Sequence, residues 1–403
     1  MLRLALRNII RQRMRAMLTL AAIALGVASL ILSGGFVDDI LVQLRETTIH
    51  SQLGHLQIYK VGQFASGGHN PFDYLIDDPD AVEKAVAVVP GVAAWSRRLR
   101  FSGLLSNGRG ELPILGEGIE PEPEARIGTA LTLLSGRRLA PADKFGILIG
   151  EGLAGALKLK AGDSVDLVLS TVDGATNTLQ FSVVGIFRSV SKEYDARAVR
   201  IQLNAASDLT ATKGVSSVVV LLDDTRATDR ARATLLGLLP ENRFELKTWQ
   251  ELADFYNNTK ALYQRQFLVL QIIILVMVLL SVANTVNMTL YERTGEFGIM
   301  RALGLSPGYV FNLAVLETTL IGVVGAVIGV AVGVAFALLI SAIGIPMPPP
   351  PNSESGFTAA VTLVPWVLAG AFAVGVVGSA VASLLPARRA ARVPLVEALR
   401  MAI

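Results

Sequence analysis

The sequence contains no cysteine. Disulfides, thiol catalysis and cysteine-ligated metals are excluded, while the redox compartment stays open. Charge is also scarce. Asp, Glu, Lys and Arg make up 17% of the 403 residues, against about a quarter in an average soluble domain. Histidine occurs three times, as His50, His55 and His69, without metal-ligand spacing to nearby carboxylates. A G-x-x-x-x-G-K-S/T phosphate loop is missing, so any ATP that drives this protein is bound by another chain. Ser189–Lys192 has S-x-x-K spacing, but the S-D-N and K-T-G motifs that complete such sites are absent and the match reads as chance. The net charge of +3 gives no argument for nucleic acid. No catalytic, cofactor-binding or metal-binding residue is expected on this chain.

Apolar surface is what the chain has in excess, with 52% hydrophobic residues. So much of it needs a solvent other than water. A helix crosses the hydrocarbon core with about 20 mostly apolar residues. Four stretches qualify, at 17–37, 267–290, 309–343 and 361–385. The flanking charges orient them. Arg3, Arg7, Arg11, Arg13 and Arg15 precede the first stretch, Arg293 and Arg301 lie between the second and third, and Arg388, Arg389, Arg392 and Arg400 follow the fourth. The link 344–360 has no Lys or Arg. Both termini and the link 291–308 are therefore expected in the cytoplasm, and the long segment 38–266 outside it. The first apolar run is too long for a usual signal peptide and reads as an uncleaved anchor. Two readings stand for the basic segment 1–16: an amphipathic helix on the inner membrane surface, with four arginines on one face, or plain positive-inside flanking charge.

Segment 38–266 has soluble chemistry, with short β-rich runs between turn signals. Strands are expected at 55–59, 112–116, 147–149, 164–169, 181–187, 198–203 and 217–222. Helices are expected after the N-caps Asp78 and Asp224. The two ends, 38–49 and 249–266, read as helical extensions of the flanking membrane helices, a stalk able to carry motion or simply a frame. The fold class is thus four transmembrane α-helices plus a large extracytoplasmic α+β domain inserted between helices 1 and 2.

The link 291–308 mixes both charge signs with Phe297, Ile299, Met300 and Leu303. That pattern predicts a short helix that docks into a partner's groove, stopped by Gly304 and Pro307. The third membrane segment carries Gly322, Gly325, Gly329 and Gly333, small residues spaced to let helices approach closely in lipid. The ridge is either a seam between two chains or a contact within one. Glu317 is a carboxylate near the cytoplasmic end of that segment, functional by default if intramembrane and ordinary if interfacial. Ser281, Asn284, Thr285 and Asn287 put polar groups on the second segment, for bonds across helices or for a cavity. The run Pro346-Met-Pro-Pro-Pro-Pro351 is expected to form a stiff outer rod, either a gate or cap at the outer end of the third segment or a mere spacer.

The link motif Glu292-Arg293-Thr294-Gly295-Glu296-Phe297-Gly298-Ile299-Met300-Arg301-Ala302-Leu303-Gly304 and the tail Pro386-Ala-Arg-Arg-Ala-Ala-Arg-Val-Pro-Leu-Val-Glu-Ala-Leu-Arg400 resemble the signatures of FtsX-like permeases. One helix, a large outer domain and then three helices is similar to the layout of MacB-type, or type VII, ABC transporters. The resemblance implies an inner-membrane complex of two permease chains, alike or different, above two copies of an ATPase subunit that bind ATP and Mg. It implies that the link is a coupling helix on the ATPase, with Glu292, Arg293, Glu296, Gly298, Arg301 and Gly304 at the contact. Length and outer domain are more similar to the lipoprotein-releasing LolC/LolE branch, which implies extraction of lipoprotein or lipid and hand-over to a periplasmic carrier. Two alternatives stay open: export of a peptide or small molecule with an outer-membrane partner, and an FtsX-like scaffold that switches a cell-wall hydrolase.

Overall fold

The computed structural model describes residues 13–64, 71–189, 191–347 and 356–393. The chain opens with helix α1 (Arg13–Thr48), which runs into one π-helical turn, Ile49–Leu53. There follow β1 (Leu56–Lys60), α2 (Pro79–Ala87), β2 (Val92–Ser106), β3 (Glu111–Ile119), α3 (Pro121–Ile127), β4 (Thr132–Gly136), β5 (Gly146–Gly150), α4 (Glu151–Leu157), β6 (Ser164–Ser170) and β7 (Thr176–Arg188). Next come α5 (Lys192–Asp195), β8 (Ala198–Gln202), α6 (Leu203–Thr210), β9 (Ser217–Leu222), α7 (Thr228–Leu238), β10 (Phe244–Thr248) and α8 (Trp249–Leu252). The chain then forms α9 (Asp254–Glu292), α10 (Thr294–Ala302), α11 (Pro307–Ile343), a small ribbon of β11 (Ile345–Met347) with β12 (Phe357–Ala359), and α12 (Pro365–Arg392). The chain divides into two compact units.

One unit spans Gln43–Thr259 with Met347–Phe357. Its sheet has the strand order β10-β1-β9-β2-β3-β8-β5-β7-β4, with β6 pairing both β2 and β7. Most pairs are antiparallel; β3 with β8 and β5 with β7 are parallel. Along β6 the side chains Val165, Leu167 and Leu169 are buried and alternate with more open neighbours, as a strand with one face on a core requires. They join Leu99, Phe101, Ile149, Phe181 and Ile201 in one core, while Ile58, Val82, Val218, Leu235 and Leu246 build a second. Each of the seven strand expectations falls on a strand, as do both helix expectations on helices. Asp78 caps α2 by accepting from Ala81 N–H, with Pro79 in the first turn. Asp224 caps a 3₁₀ turn, Thr225–Ala227, from which α7 continues.

The other unit, Met1–Val42 with Lys260–Pro346 and Thr358–Ile403, holds the apolar helices. Among the described residues four helices are long and apolar enough to cross a membrane. The apolar run expected at 17–37 lies inside α1, and that at 267–290 inside α9; both helices extend through the segments expected to form a stalk. At about 1.5 Å per residue the 37 residues of α11 reach about 55 Å, more than a ~30 Å hydrocarbon core. The fourth helix starts later and ends later than the apolar run at 361–385. Pro365 supplies a natural first turn, and the helix continues past 385 through Pro386 to Arg392, so the first part of the expected tail 386–403 is helix. Residues 1–12 of the basic segment, most of the proline rod and the remainder of the tail lie outside the described residues.

Candidate coupling site

The link between α9 and α11 is tightly built. α9 stops at Glu292, Arg293 bridges, and α10 follows. Gly304 ends α10 at φ +93°, a left-handed conformation that side chains disfavour. Its N–H donates to Arg301 O at 3.0 Å and the Leu305 N–H donates to Met300 O at 3.2 Å, the bond pair of a Schellman ending. Ser306 then caps α11, its Oγ accepting from Tyr309 N–H at 3.3 Å, with Pro307 next.

This link has two faces. Arg293, Thr294, Phe297 and Gly298 are buried. Phe297 packs in the apolar core with Val286, Leu290 and Val310. The Arg293 guanidinium donates from Nη1 to Glu317 Oε2 at 2.5 Å and from Nε to Glu296 Oε2 at 3.0 Å, and lies 5.1 Å from the centre of the Phe297 ring. Arg293 and Glu317 are 5% and 8% exposed. Two ions buried apart would each cost several kcal/mol, so each holds the other in place. The bridge fixes the start of α10 to the side of α11. Arg301, half-buried, donates to the Val393 carbonyl that caps α12, where a cation complements the negative end of the helix.

On the other face Ile299 is 50% and Leu303 80% exposed, four residues apart and so on one side of the helix. Leu305 and Glu292 are exposed beside them. A small apolar patch with a charged rim is the character of a docking surface. The six residues expected at an ATPase contact therefore divide. Glu292 is exposed and Glu296 is partly so; Arg293 and Gly298 turn inward; Arg301 is tied to the end of α12; Gly304 makes the stop. Glu317 stands out in sequence as a charge on an apolar helix. Its partner, 24 residues away, needed the fold.

The glycine ridge packs within the chain. A Cβ on Gly329 would lie 2.8 Å from the Ala24 carbonyl oxygen, one on Gly325 3.0 Å from Ile23, and one on Gly333 3.1 Å from Ile31. These three face α1. A Cβ on Gly322 would lie 1.8 Å from Ser379 Oγ on α12. Of the two roles open in the sequence, seam or internal contact, the second is the one these distances describe.

The outer unit holds a second buried charge cluster that the sequence reading missed. Arg98 on β2 donates to both Glu124 oxygens, at 2.6 and 3.0 Å, and to the Gln52 carbonyl. Arg200 on β8 pairs with Glu117 at 3.2 Å and reaches the Ser51 carbonyl at 3.4 Å. Tyr194 donates to Glu117 at 3.3 Å. Burial alone would raise the Glu117 carboxyl, but Arg98, Arg200 and Arg100 outweigh it and hold the group down at about 2. Burial pushes the Tyr194 hydroxyl up to about 12. The arginines seize the π-turn that ends α1. Its other carbonyls are taken as well: Ile49 O by Gly54 N–H, His50 O by Ala130 N–H and Leu53 O by Gln57 Nε2. Close by, His55 is buried between Leu222 N–H, which donates to Nδ1, and Thr225 Oγ1 at 3.0 Å from Nε2. Burial is the chief cause that lowers its imidazole to about 4. Among the described residues no group of His, Asp and Glu is arranged to hold a metal ion.

Four apolar helices among the described residues, a short helix in the second link and an α+β domain after the first helix define the layout of a multi-pass membrane protein with one large inserted domain. Residues 16–238 match the MacB-like periplasmic core domain and residues 268–395 the FtsX-like permease C-terminal domain. The first match covers more than half of the chain, which belongs to this family of MacB/LolC-type ABC transporter permeases. An ABC transporter permease of Methanocaldococcus jannaschii is 23% identical over 66% of this chain and 64% of its own length. The lipoprotein-releasing system transmembrane protein LolC of Neisseria meningitidis is 25% identical over 95% of this chain and 93% of its own length. The solved periplasmic region of MacB from Actinobacillus actinomycetemcomitans is 15% identical, covering 52% of this chain and 95% of that one with a TM-score of 0.37.

Proposed function

We propose that this chain is the non-catalytic permease subunit of an inner-membrane ABC transporter that does mechanical work at the outer membrane face. The observation that carries this reading is the two-faced link. A helix braced inward through Arg293 and Glu317 presents Ile299 and Leu303 outward. A docking helix needs both a rigid seat and an apolar contact face. In this reading the termini and link face the cytoplasm, the outer domain is periplasmic, and two ATPase copies bind ATP and Mg. A second permease chain, the same or related, completes the complex. Glu292 and Glu296 serve the ATPase contact together with the exposed apolar pair, while Arg293, Gly298, Arg301 and Gly304 shape and hold the helix.

The cargo in this proposal is a lipoprotein or lipid drawn from the outer leaflet. Its support is similarity to a LolC along almost the whole chain, together with the large outer domain. A periplasmic carrier that receives the cargo is part of the same proposal. The test is mass spectrometry of the complex purified gently from its native membrane. An ATPase together with an acylated protein or lipid is expected. An ATPase with a cell-wall hydrolase or an outer-membrane adaptor, and no acylated cargo, would replace extraction by scaffolding or export. Absence of any ATPase would remove the coupling role itself.

A further inference from the structure

A groove of about 400 Å³ runs between the final turns of α9 and those of α12. Asn284, Asn287 and Arg389 line it together with Tyr291 and with Thr294, whose hydroxyl donates to the Leu290 carbonyl; Met288, Pro386 and Ala390 are among its apolar walls. The sequence leaves two roles open for the amides of α9, and the structure gives Asn284 and Asn287 the groove. Both are exposed, and neither has a hydrogen-bond partner among the described residues. Arg389 likewise forms no ion pair among the described residues, whereas the nearby Arg293 and Arg301 are both engaged.

Amides on a helix that crosses lipid are costly without a partner. One ligand chemistry satisfies all three groups together. A phosphate offers several acceptor oxygens, a guanidinium meets it with a fixed fork of donors, and each amide adds two N–H donors. The groove also opens beside the exposed side chains of Met288 and Tyr291, an apolar rim suited to acyl chains. Basic pockets between membrane helices on the cytoplasmic side are where anionic headgroups gather. We propose that this groove binds the phosphate headgroup of an anionic phospholipid of the inner leaflet, with Arg389 on the phosphate and Asn284 and Asn287 as the neutral donors. A lipid fits better than free phosphate because the polar lining adjoins apolar helix surface.

The full-length chain, reconstituted in nanodiscs of phosphatidylglycerol or phosphatidylcholine and re-extracted in mild detergent, would be weighed by native mass spectrometry. Phosphatidylglycerol is expected to stay bound in preference to phosphatidylcholine. Arg389→Gln or Asn287→Leu is expected to lower its retention about fivefold, the worth of roughly one headgroup contact. Arg388→Gln is the control, since Arg388 is exposed next to Arg389 yet does not line the groove, and retention should stay within about twofold. Equal retention of the two lipids, or an equal loss in Arg388→Gln, would overturn the site in favour of diffuse attraction to a basic helix end. Displacement of the lipid by millimolar inorganic phosphate would make it a free-anion site. A photocrosslinker at Met288 that captures a second copy or another protein in native membranes would make it a protein interface.

Discussion

The two units bury charge in different ways. In the outer unit Arg98 and Arg200 share Glu117 and Glu124, and both guanidinia reach backbone carbonyls at the end of α1. In the membrane unit Arg293 meets Glu317 and Glu296, both side chains, on the adjoining helices. The first cluster has redundancy, since two arginines share the same two carboxylates. In the second a single arginine holds two carboxylates, Glu317 buried and Glu296 partly exposed. A domain bathed in water can afford a network whose arginines compensate one another; in the apolar bundle one arginine joins the start of α10 to the side of α11. Neither cluster lies in a setting that points to catalysis. Both fasten one element to another.

The largest expected effect breaks the outer cluster. Glu124→Ala leaves Arg98, which is fully buried, without its two-oxygen partner. A loss of about 3–5 kcal/mol is expected, read as a drop in denaturant midpoint of the outer-unit transition in the full chain. The pair replacement Arg98→Met with Glu124→Leu should restore most of it, yet raise amide exchange at residues 49–54. Unchanged exchange there would mean that the arginines do not hold the π-turn. Next in size is Gly329→Leu, which forces side-chain atoms against the Ala24 backbone. It should cost about 3 kcal/mol, the upper end for overpacking, and lower the thermal midpoint of the detergent-solubilised chain. Gly370→Leu, with open space around it, should not. Equal behaviour of the two would show that the ridge is no contact.

Glu317→Gln tests the single pair. It keeps the shape but removes the charge opposite Arg293, and about 1.5–3 kcal/mol should be lost. If the link is a coupling helix, ATPase activity should persist in the reassembled complex while outer-face work falls. Full work from this variant would show that the brace is dispensable. The smallest effect concerns pH. His55 is held at about 4, below the unfolded value of about 6.5, so the unfolded chain takes up its proton first. Stability should fall as pH drops from about 6.5 to about 4, and His55→Gln should flatten that slope. Glu117 acts lower, its contribution being present above about pH 4 and lost as pH falls towards 2. A slope unchanged by His55→Gln would assign the acid sensitivity to other groups.

The layout was legible in sequence because lipid imposes a simple rule of length and polarity. The link helix was legible because its stop, Gly304 before Pro307, is a local signal. β6 and β9 were legible from apolar content and bounding turns. β2 was not, although it is 15 residues long. Arg97, Arg98 and Arg100 interrupt its apolar pattern, and they fit a strand only because Glu83, Glu124 and Glu117 lie opposite them. Such partners are remote in the chain, and nothing local announces them. The glycine ridge shows the same limit from the other side. Its spacing was visible, while its partner, α1, is set by tertiary packing alone. α12 outran its apolar stretch because Pro386 removes a single hydrogen bond, which neighbouring helices in a bundle tolerate.

The ending of α1 has a mechanical consequence. Carbonyls 49 to 53 are each held by a different donor, on Gly54, Ala130, Arg200, Arg98 and Gln57. Bonds loaded side by side share a force, whereas bonds loaded one after another yield like a zipper. Gly54 and Gln57 follow directly in the chain, so a pull or a twist on the turn meets three attachments to other elements at once, on Ala130, Arg200 and Arg98. The joint resists torque as well as tension, because its anchors are spread around the turn rather than lined up along it. Such a joint is keyed into the sheet it adjoins, so the turn cannot slip by a residue without breaking all three.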